Sequence, residues 1–558
     1  MSELTEICCF KKEKFEECFD ILLNRISMNF CNYISFQDLK LNNSIEILKN
    51  LLKKITDNYN ILSMLLECKY IDRTFRDSYY LHLSEKHFEV SRYCQRLIIF
   101  DGIQEDNIIN RNVGILEKNL IGSIVIRPIK TGILGRTLIN PKYLYKNKDE
   151  YKEDNAYIRT TKYSISFYGI CLSVSAFPFS TQDAITTTCA ETTLINMMDY
   201  FSHRYEDYRL LLPSDIYKIR RQNSDERILP TKGMTYRMLS KAMYKSGLYP
   251  KIYTENEYIN FEDMRRILSY YVESGIPVAL GIHRKCGGLN HSIICIGHTS
   301  NDYNSMTNIV YPIINNCSQE NKRNIIYTVD TANSINKLIV MDDTNVPYSQ
   351  FKLRKLSYDY KDSTFTDIHK LFKYEYNDSE LMCIIVPLYK RVYMDVMQAR
   401  NAFREILVND DFNPCLNYKK CFNFDVGTRE NPIVTRIFLT SSKHYKEMRL
   451  NDINIVDTCV EDMYLNTPFP QFIWVCELYD LKCYKNGIAF GEIILDATYS
   501  SKDSLGSIIM LNYPQKHLAR DIDGKSLDAT TDIEFNNTSE HAIKFSMYHK
   551  NLTSMNEL

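Results

Sequence analysis

Apolar residues recur along this chain with two different periods, and the change of period divides it. From Glu13 to Met28, and again from Ser44 to Asp57, they return every three or four positions. In the second stretch Ile45, Ile47, Leu48, Leu51, Leu52 and Ile55 share one helical face. The pattern from Tyr59 to Tyr70 reads as a further helix, so residues 1–118 are expected to form a helical N-terminal region. Within it, Asp72-Arg73-Thr-Phe-Arg76-Asp77 packs charges densely enough to read as a salt-bridge cluster between helices.

From Leu120 the period shortens. Ile121–Arg127 reads as a strand, Gly132, Gly135 and Pro141 punctuate the stretch after it, and Tyr163–Ala176 supplies one or two more strands. Residues 119–178 are thus a β-rich connector. Residues 179–375 begin with helices. One leaves Cys189 with Ala190, Leu194, Met197 or Met198, and Phe201 on one face; another starts at Pro213 with Ser214 as its cap; a third follows Thr235; a fourth covers Phe261–Ser274. Strands Ile276–Ile282 and His291–Gly297 come next, joined by a loop containing Gly287-Gly288. Lys337–Met341 is the following strand and ends in Asp342-Asp343-Thr344-Asn345. Helices first and an antiparallel sheet afterwards is an α+β order. Residues 380–558 read as a C-terminal α/β accessory domain, with Tyr484-Lys-Asn486-Gly487-Ile488 as a hairpin signal.

Composition narrows the functional classes. A chain of 558 residues makes about three or four domain-sized units. With 68 basic and 69 acidic residues, its net charge of −1 gives no reason to expect nucleic acid or an anionic membrane as partner. No apolar run reaches the roughly 18 residues of a membrane-spanning helix, and the N-terminus lacks the basic and apolar regions of a secretory signal. The 17 cysteines include no Cys-x-x-Cys pair, and several sit inside apolar runs, as Cys295, Cys383 and Cys476 do. Those are the habits of buried free thiols in a reducing compartment, and the expected location is cytoplasmic.

The candidate chemistry centres on Cys189. A cysteine opening a helix lies at the positive end of the helix dipole, where a thiolate is favoured. Gln182, seven residues earlier, is placed to donate a hydrogen bond to an oxyanion. His291, at the head of an apolar strand just after a glycine-bearing loop, is a candidate general base. Asp342 or Asp343, at the end of a strand that can pair beside it, is a candidate orienter of the imidazole, with Asn345 as a further option. Strand alternation allows only one of the two aspartates to face His291. Each residue alone has an ordinary reading: a buried thiol, a strand histidine, a polar turn. It is the ordered set Gln182, Cys189, His291 and Asp342 that points to a cysteine-nucleophile triad. His298, at the far end of its strand, ranks below His291. His283-x-x-Cys286 with His291 offers three ligands but no fourth, so no metal is expected.

Four pieces of the chain resemble papain-like cysteine peptidases, and especially the bacterial group that processes double-glycine leaders of bacteriocins. They are Gln182-Asp183 with Cys189-Ala190, Gly275-Ile-Pro-Val-Ala-Leu280, Asn290-His291-Ser-Ile-Ile-Cys-Ile-Gly297-His298, and Ile339-Val-Met-Asp342-Asp343. The resemblance covers residues 180–350, about a third of the chain. It implies a papain-like core, with Gln182 and the Cys189 N–H as oxyanion donors, Cys189 as nucleophile, His291 as base and then acid, and Asp342 as orienter. It implies a protein or peptide substrate and no cofactor, as in cytosolic bacterial proteins that carry this core. The sequence lacks the membrane and ATPase parts that accompany the peptidase in bacteriocin exporters. A transglutaminase, deamidase or isopeptidase would use the same residues, and a sensor or binding module on a peptidase scaffold would keep the fold without the reaction.

Overall fold

A computed structural model describes residues 5–30, 34–59, 61–87, 90–145, 156–222, 227–284, 290–299, 306, 310–314, 325–335, 337–352, 379–409, 412–415, 418–419, 425–455, 458–500, 505–514, 516–520 and 544–557. The chain is α+β, built on three large sheets.

The first sheet is an antiparallel meander of Thr5–Lys11, Ile61–Tyr70, Cys94–Asp101, Leu120–Ile126 and Leu134–Ile139. The expected helices are present as Phe15–Asn29 and Asn43–Asn58. The wholly helical N-terminal region is not, because three of the five strands lie within residues 1–118. Ile61–Tyr70 is a strand between two others, with Leu62, Met64, Leu65 and Leu66 all buried. Burial on both faces removes the alternation that identifies a strand. Residues 120–139 complete this sheet rather than connect two units. The charged cluster at Asp72–Asp77 caps helices. Asp72 accepts from the Phe75 N–H at 2.7 Å, opening Arg73–Leu81. Asp77 accepts from the N–H and hydroxyl of Ser214 at 2.7 and 2.8 Å. Ser214 therefore does not cap its own helix, Pro213–Arg221; its N-terminus is held by an acid 137 residues away.

The second sheet carries the site. Its order is Ser349–Phe351, Leu338–Met341, Asn290–Thr299, Val278–Arg284, Ser379–Leu388 and Tyr249–Thr254, all antiparallel. Ala156–Ile158 also pairs with Asn290–Thr299, and Thr553–Ser554 pairs with Ala156–Ile158. Two expected boundaries therefore give way. Ser379–Leu388 belongs to the middle of this sheet rather than to a separate unit starting near 380. Conversely, Tyr311–Ile314 and Ile325–Asp330 join the third sheet, followed in order by Ile433–Ser441, Phe472–Tyr479, Gly491–Asp496, Ile508–Tyr513 and Lys516–Ala519. Local periodicity finds strands but not the sheet to which each belongs. Asn486-Gly487 ends the short helix Leu481–Lys485, with Gly487 in the left-handed region at φ 66°, instead of turning a hairpin.

The helix Cys189–Arg204 lies between the first two sheets. It is buried on every side from Ala190 to Phe201, not along one stripe as expected. Leu194, Met197, Met198 and Phe201 share a core with Ile294, Ile296, Ile339 and Met341 on one face of the second sheet. Val278, Leu280, Ile293, Cys295, Leu338 and Val340 point to the other face, against the helix Phe261–Glu273 and the third sheet. A buried ion chain ties that third sheet on. His298 Nε2 meets Glu273 at 3.0 Å, Arg436 bridges Glu273 and Glu477 at 2.9 Å each, and Arg449, fully buried, bridges Glu477 and Glu492 at 3.0 Å each.

Candidate active site

The approach to Cys189 is a tightly held loop. Buried Arg127 donates to the Thr181 carbonyl at 2.6 Å and to the Gly132 carbonyl. The Asp183 carboxylate accepts from the N–H groups of Ile185, Thr186 and Thr187 at 2.8, 2.7 and 2.8 Å, which curls the chain back on itself through Ala184 at φ 59°. Gly132 is required where it stands. Its φ is 63°, and a Cβ there would lie 1.9 Å from the Gln182 carbonyl oxygen. Gln182 is half-buried on this loop, its backbone fixed against Gly132.

The loop delivers Cys189 to the first position of its helix, where the N–H has no intrahelical acceptor. Just inside, buried Glu191 accepts from the Thr188 N–H at 3.2 Å, from the Thr188 hydroxyl, from the Thr231 hydroxyl at 2.8 Å and from Arg220. One turn in, Thr193 donates to the Ser292 carbonyl at 3.3 Å. That bond pins the start of the helix to the start of the next strand, and Ser292 is the neighbour of His291. Arg136 holds the helix from the opposite side, gripping Asp199 with two bonds of 2.7 and 2.9 Å.

His291 is buried, with Nε2 2.7 Å from Asp342 Oδ1. Asp342 Oδ1 also accepts from the N–H and hydroxyl of Thr344, both at 2.9 Å, which fixes the carboxylate. Cys189 lies near enough to the ring to favour its charged form. Burial opposes a charged ring and is the largest single influence. The Asp342 charge and hydrogen bond, the nearby Cys189 and the Asp343 charge together outweigh it, raising the imidazole from an ordinary 6.5 to about 10. His291 therefore holds its proton at neutral pH, suited to sit beside a thiolate and later to give the proton away.

Asp343 corrects one expectation. Its Oδ1 lies 3.3 Å from the same Nε2, so both aspartates face the histidine. The strand ends at Met341, and the two aspartates stand in the turn after it, where strand alternation no longer applies. Asn345 does not orient His291; its side chain accepts from the Val346 N–H at 2.8 Å and its own N–H closes the turn onto Asp342. His298 is committed to Glu273 in the ion chain. His283 bonds through Nδ1 to Asn290 at 2.9 Å, and Cys286 with Gly287 and Gly288 lies outside the described residues.

His291, Asp342 and Asp343 are the one group among the described residues whose side-chain donors approach closely enough to share a cation. Tetrahedral ligands around zinc stand about 3.3 Å apart. The 2.7 Å between His291 and Asp342 is a charge-assisted hydrogen bond instead, so the cluster suits proton chemistry better than a metal.

Asp183 stands out in the sequence only as the neighbour of Gln182 and Glu191 not at all, although Thr188-x-x-Glu191 is a helix-capping signature that marks the helix start independently of the cysteine. Arg127 and Arg136 have no such local signal, since Thr181 and Asp199 lie 54 and 63 residues away from them. No protein-family model matches this chain, and no curated protein matches it either. Among the described residues no helix is long and apolar enough to cross a membrane.

Proposed function

We propose that the protein is a papain-like cysteine peptidase, cleaving peptide bonds in a protein or peptide substrate through a thioester on Cys189. The observation that carries this reading is His291 hydrogen-bonded to Asp342 with Cys189 near its ring, the three drawn from a strand start, a strand end and a helix start. Cys189 attacks as a thiolate with the protonated His291 beside it. The Cys189 N–H and the Gln182 side chain receive the oxyanion. His291 protonates the departing amine, then takes a proton from the water that hydrolyses the thioester. Asp342 and Asp343 stabilise the imidazolium through both halves of the cycle. Transfer to an amine instead of water would make a transglutaminase of the same groups, and attack on a side-chain amide an isopeptidase or deamidase.

An electrophilic thiol probe tests the reading. Iodoacetamide at neutral pH is expected to label Cys189 well ahead of the exposed Cys9 and Cys171, and His291→Ala is expected to remove that lead. Equal labelling of the three would overturn it.

A further inference from the structure

A second site lies at the opposite end of the Cys189 helix. Sixteen helical residues place it ~24 Å from the sulfur. There a cavity of about 660 Å³ opens between the helix end, the strand end at Tyr389 and the start of the helix Ser442–Leu450. Its volume is that of a site for one small molecule.

The charges around the cavity do not balance. Arg159, Lys390, Arg391 and Lys550 line it against a single acid, Asp207. Arg159 is 8% exposed, and its guanidinium donates to the Tyr200 hydroxyl at 2.6 Å, the Tyr205 hydroxyl at 3.4 Å and the Asn551 carbonyl. All three partners are neutral. Among the described residues, no carboxylate lies within ion-pair distance of Arg159, Lys390, Arg391 or Lys550. The arginines of the ion chain each have an acid, Arg436 having Glu273 and Glu477 and Arg449 having Glu477 and Glu492, whereas Arg159, like Arg127 beside the loop before Cys189, hydrogen-bonds only neutral groups. A charge taken out of water without a counter-charge is costly, and here the open side of the guanidinium is the cavity. His444 adds no positive charge. Burial lowers its pKa most, and Arg204 and Arg159 lower it further. Aromatic rings line the cavity as well, with Tyr389 and Phe472 stacked at 4.6 Å and 4° and Tyr208 packed against Tyr205.

We infer that this cavity binds a phosphorylated small molecule with a flat ring, that is, a nucleotide. The phosphate sits against Arg159 and Arg391, and the base lies along the aromatic rings. The inference stands independently of the reading of Cys189. It is tested on the full chain with AMP and inorganic pyrophosphate as probes, by calorimetry and thermal shift. AMP is expected to bind and raise Tm, equally in Cys189→Ala. Arg391→Glu combined with Lys550→Glu, both at exposed positions, is expected to weaken AMP and pyrophosphate at least tenfold while leaving the Tm of the free protein in place. Tyr208→Ala is expected to weaken AMP several-fold and pyrophosphate not at all. The inference is overturned if millimolar AMP gives neither heat nor a Tm shift, if the charge-reversed protein binds it equally, or if pyrophosphate binds as tightly as AMP. Binding of a glutamate-rich peptide with AMP inert would overturn it as well.

Discussion

Replacing Asp342 with Asn isolates the charge that holds His291 protonated. The side chain is nearly isosteric and keeps an oxygen for Thr344, so the turn is preserved. The gap between 6.5 and about 10 is worth about 5 kcal/mol of preference for the imidazolium. The Asp342 charge and hydrogen bond lead the influences that raise the value, while burial, the largest of all, lowers it. Without the carboxylate, the nearby Cys189 and the Asp343 charge face burial alone, and His291 is expected to titrate at or below 6.5. The sign for stability follows from the raised value. A histidine whose folded pKa lies above its unfolded one contributes fully below about 6.5, and that contribution is lost as pH rises towards 10. Asp342→Asn should therefore cost up to about 5 kcal/mol at pH 6 and progressively less towards pH 10. Histidine NMR reads the titration directly, with His291→Gln identifying one resonance among the 11 histidines, and urea unfolding at pH 6, 8 and 10 reads the stability. Native His291 titrating near 6.5, or a variant whose His291 still titrates near 10, would refute the reasoning.

Other consequences arise from the same contacts. Gly132→Ala puts a Cβ into the Gln182 carbonyl at a positive φ, so Tm should fall and peptide cleavage should drop more than tenfold; Gly169→Ala, also at positive φ but with nothing within 4 Å, is the control and should leave cleavage unchanged. Arg449→Met leaves Glu492 without a cation in the core and takes one of the two from Glu477, and should lower unfolding free energy by about 3–5 kcal/mol in urea titration. Glu273 and Glu477 are buried, which alone would raise their pKa values, but Arg436 and its neighbours hold both below the usual carboxylate range. The stability they add is present above that range, so the urea midpoint should fall as pH drops below about 4. Asp343→Asn, which removes the lesser of the two acidic influences, should lower the His291 titration by less than Asp342→Asn does.

The parts of the fold legible in the sequence were those set by local pattern. The helix starting at Cys189, the apolar strand headed by His291 and the strand ending before Asp342 stand where periodicity put them. Their proximity was inferred from residue chemistry, and the structure supplies the reason: the Thr193–Ser292 bond and a shared core. What local pattern missed was decided at long range. Ile61–Tyr70 reads as a helix because its partners, Thr5–Lys11 and Cys94–Asp101, cover its flanks while both faces are buried. Ser379–Leu388 reads as a new domain because the strand it joins, Val278–Arg284, is about a hundred residues earlier. That only one of Asp342 and Asp343 would face His291 follows from a rule that holds inside a strand and stops at its last residue.

The central claim is that Cys189 attacks peptide bonds. Purified protein and Cys189→Ala, incubated in parallel with a peptide library and read by mass spectrometry of new N-termini, test it most directly. The account predicts new termini with a shared sequence preference from the native protein and none from the variant. The same termini from both proteins, or none from a native protein whose Cys189 reacts no faster than Cys9, would contradict it.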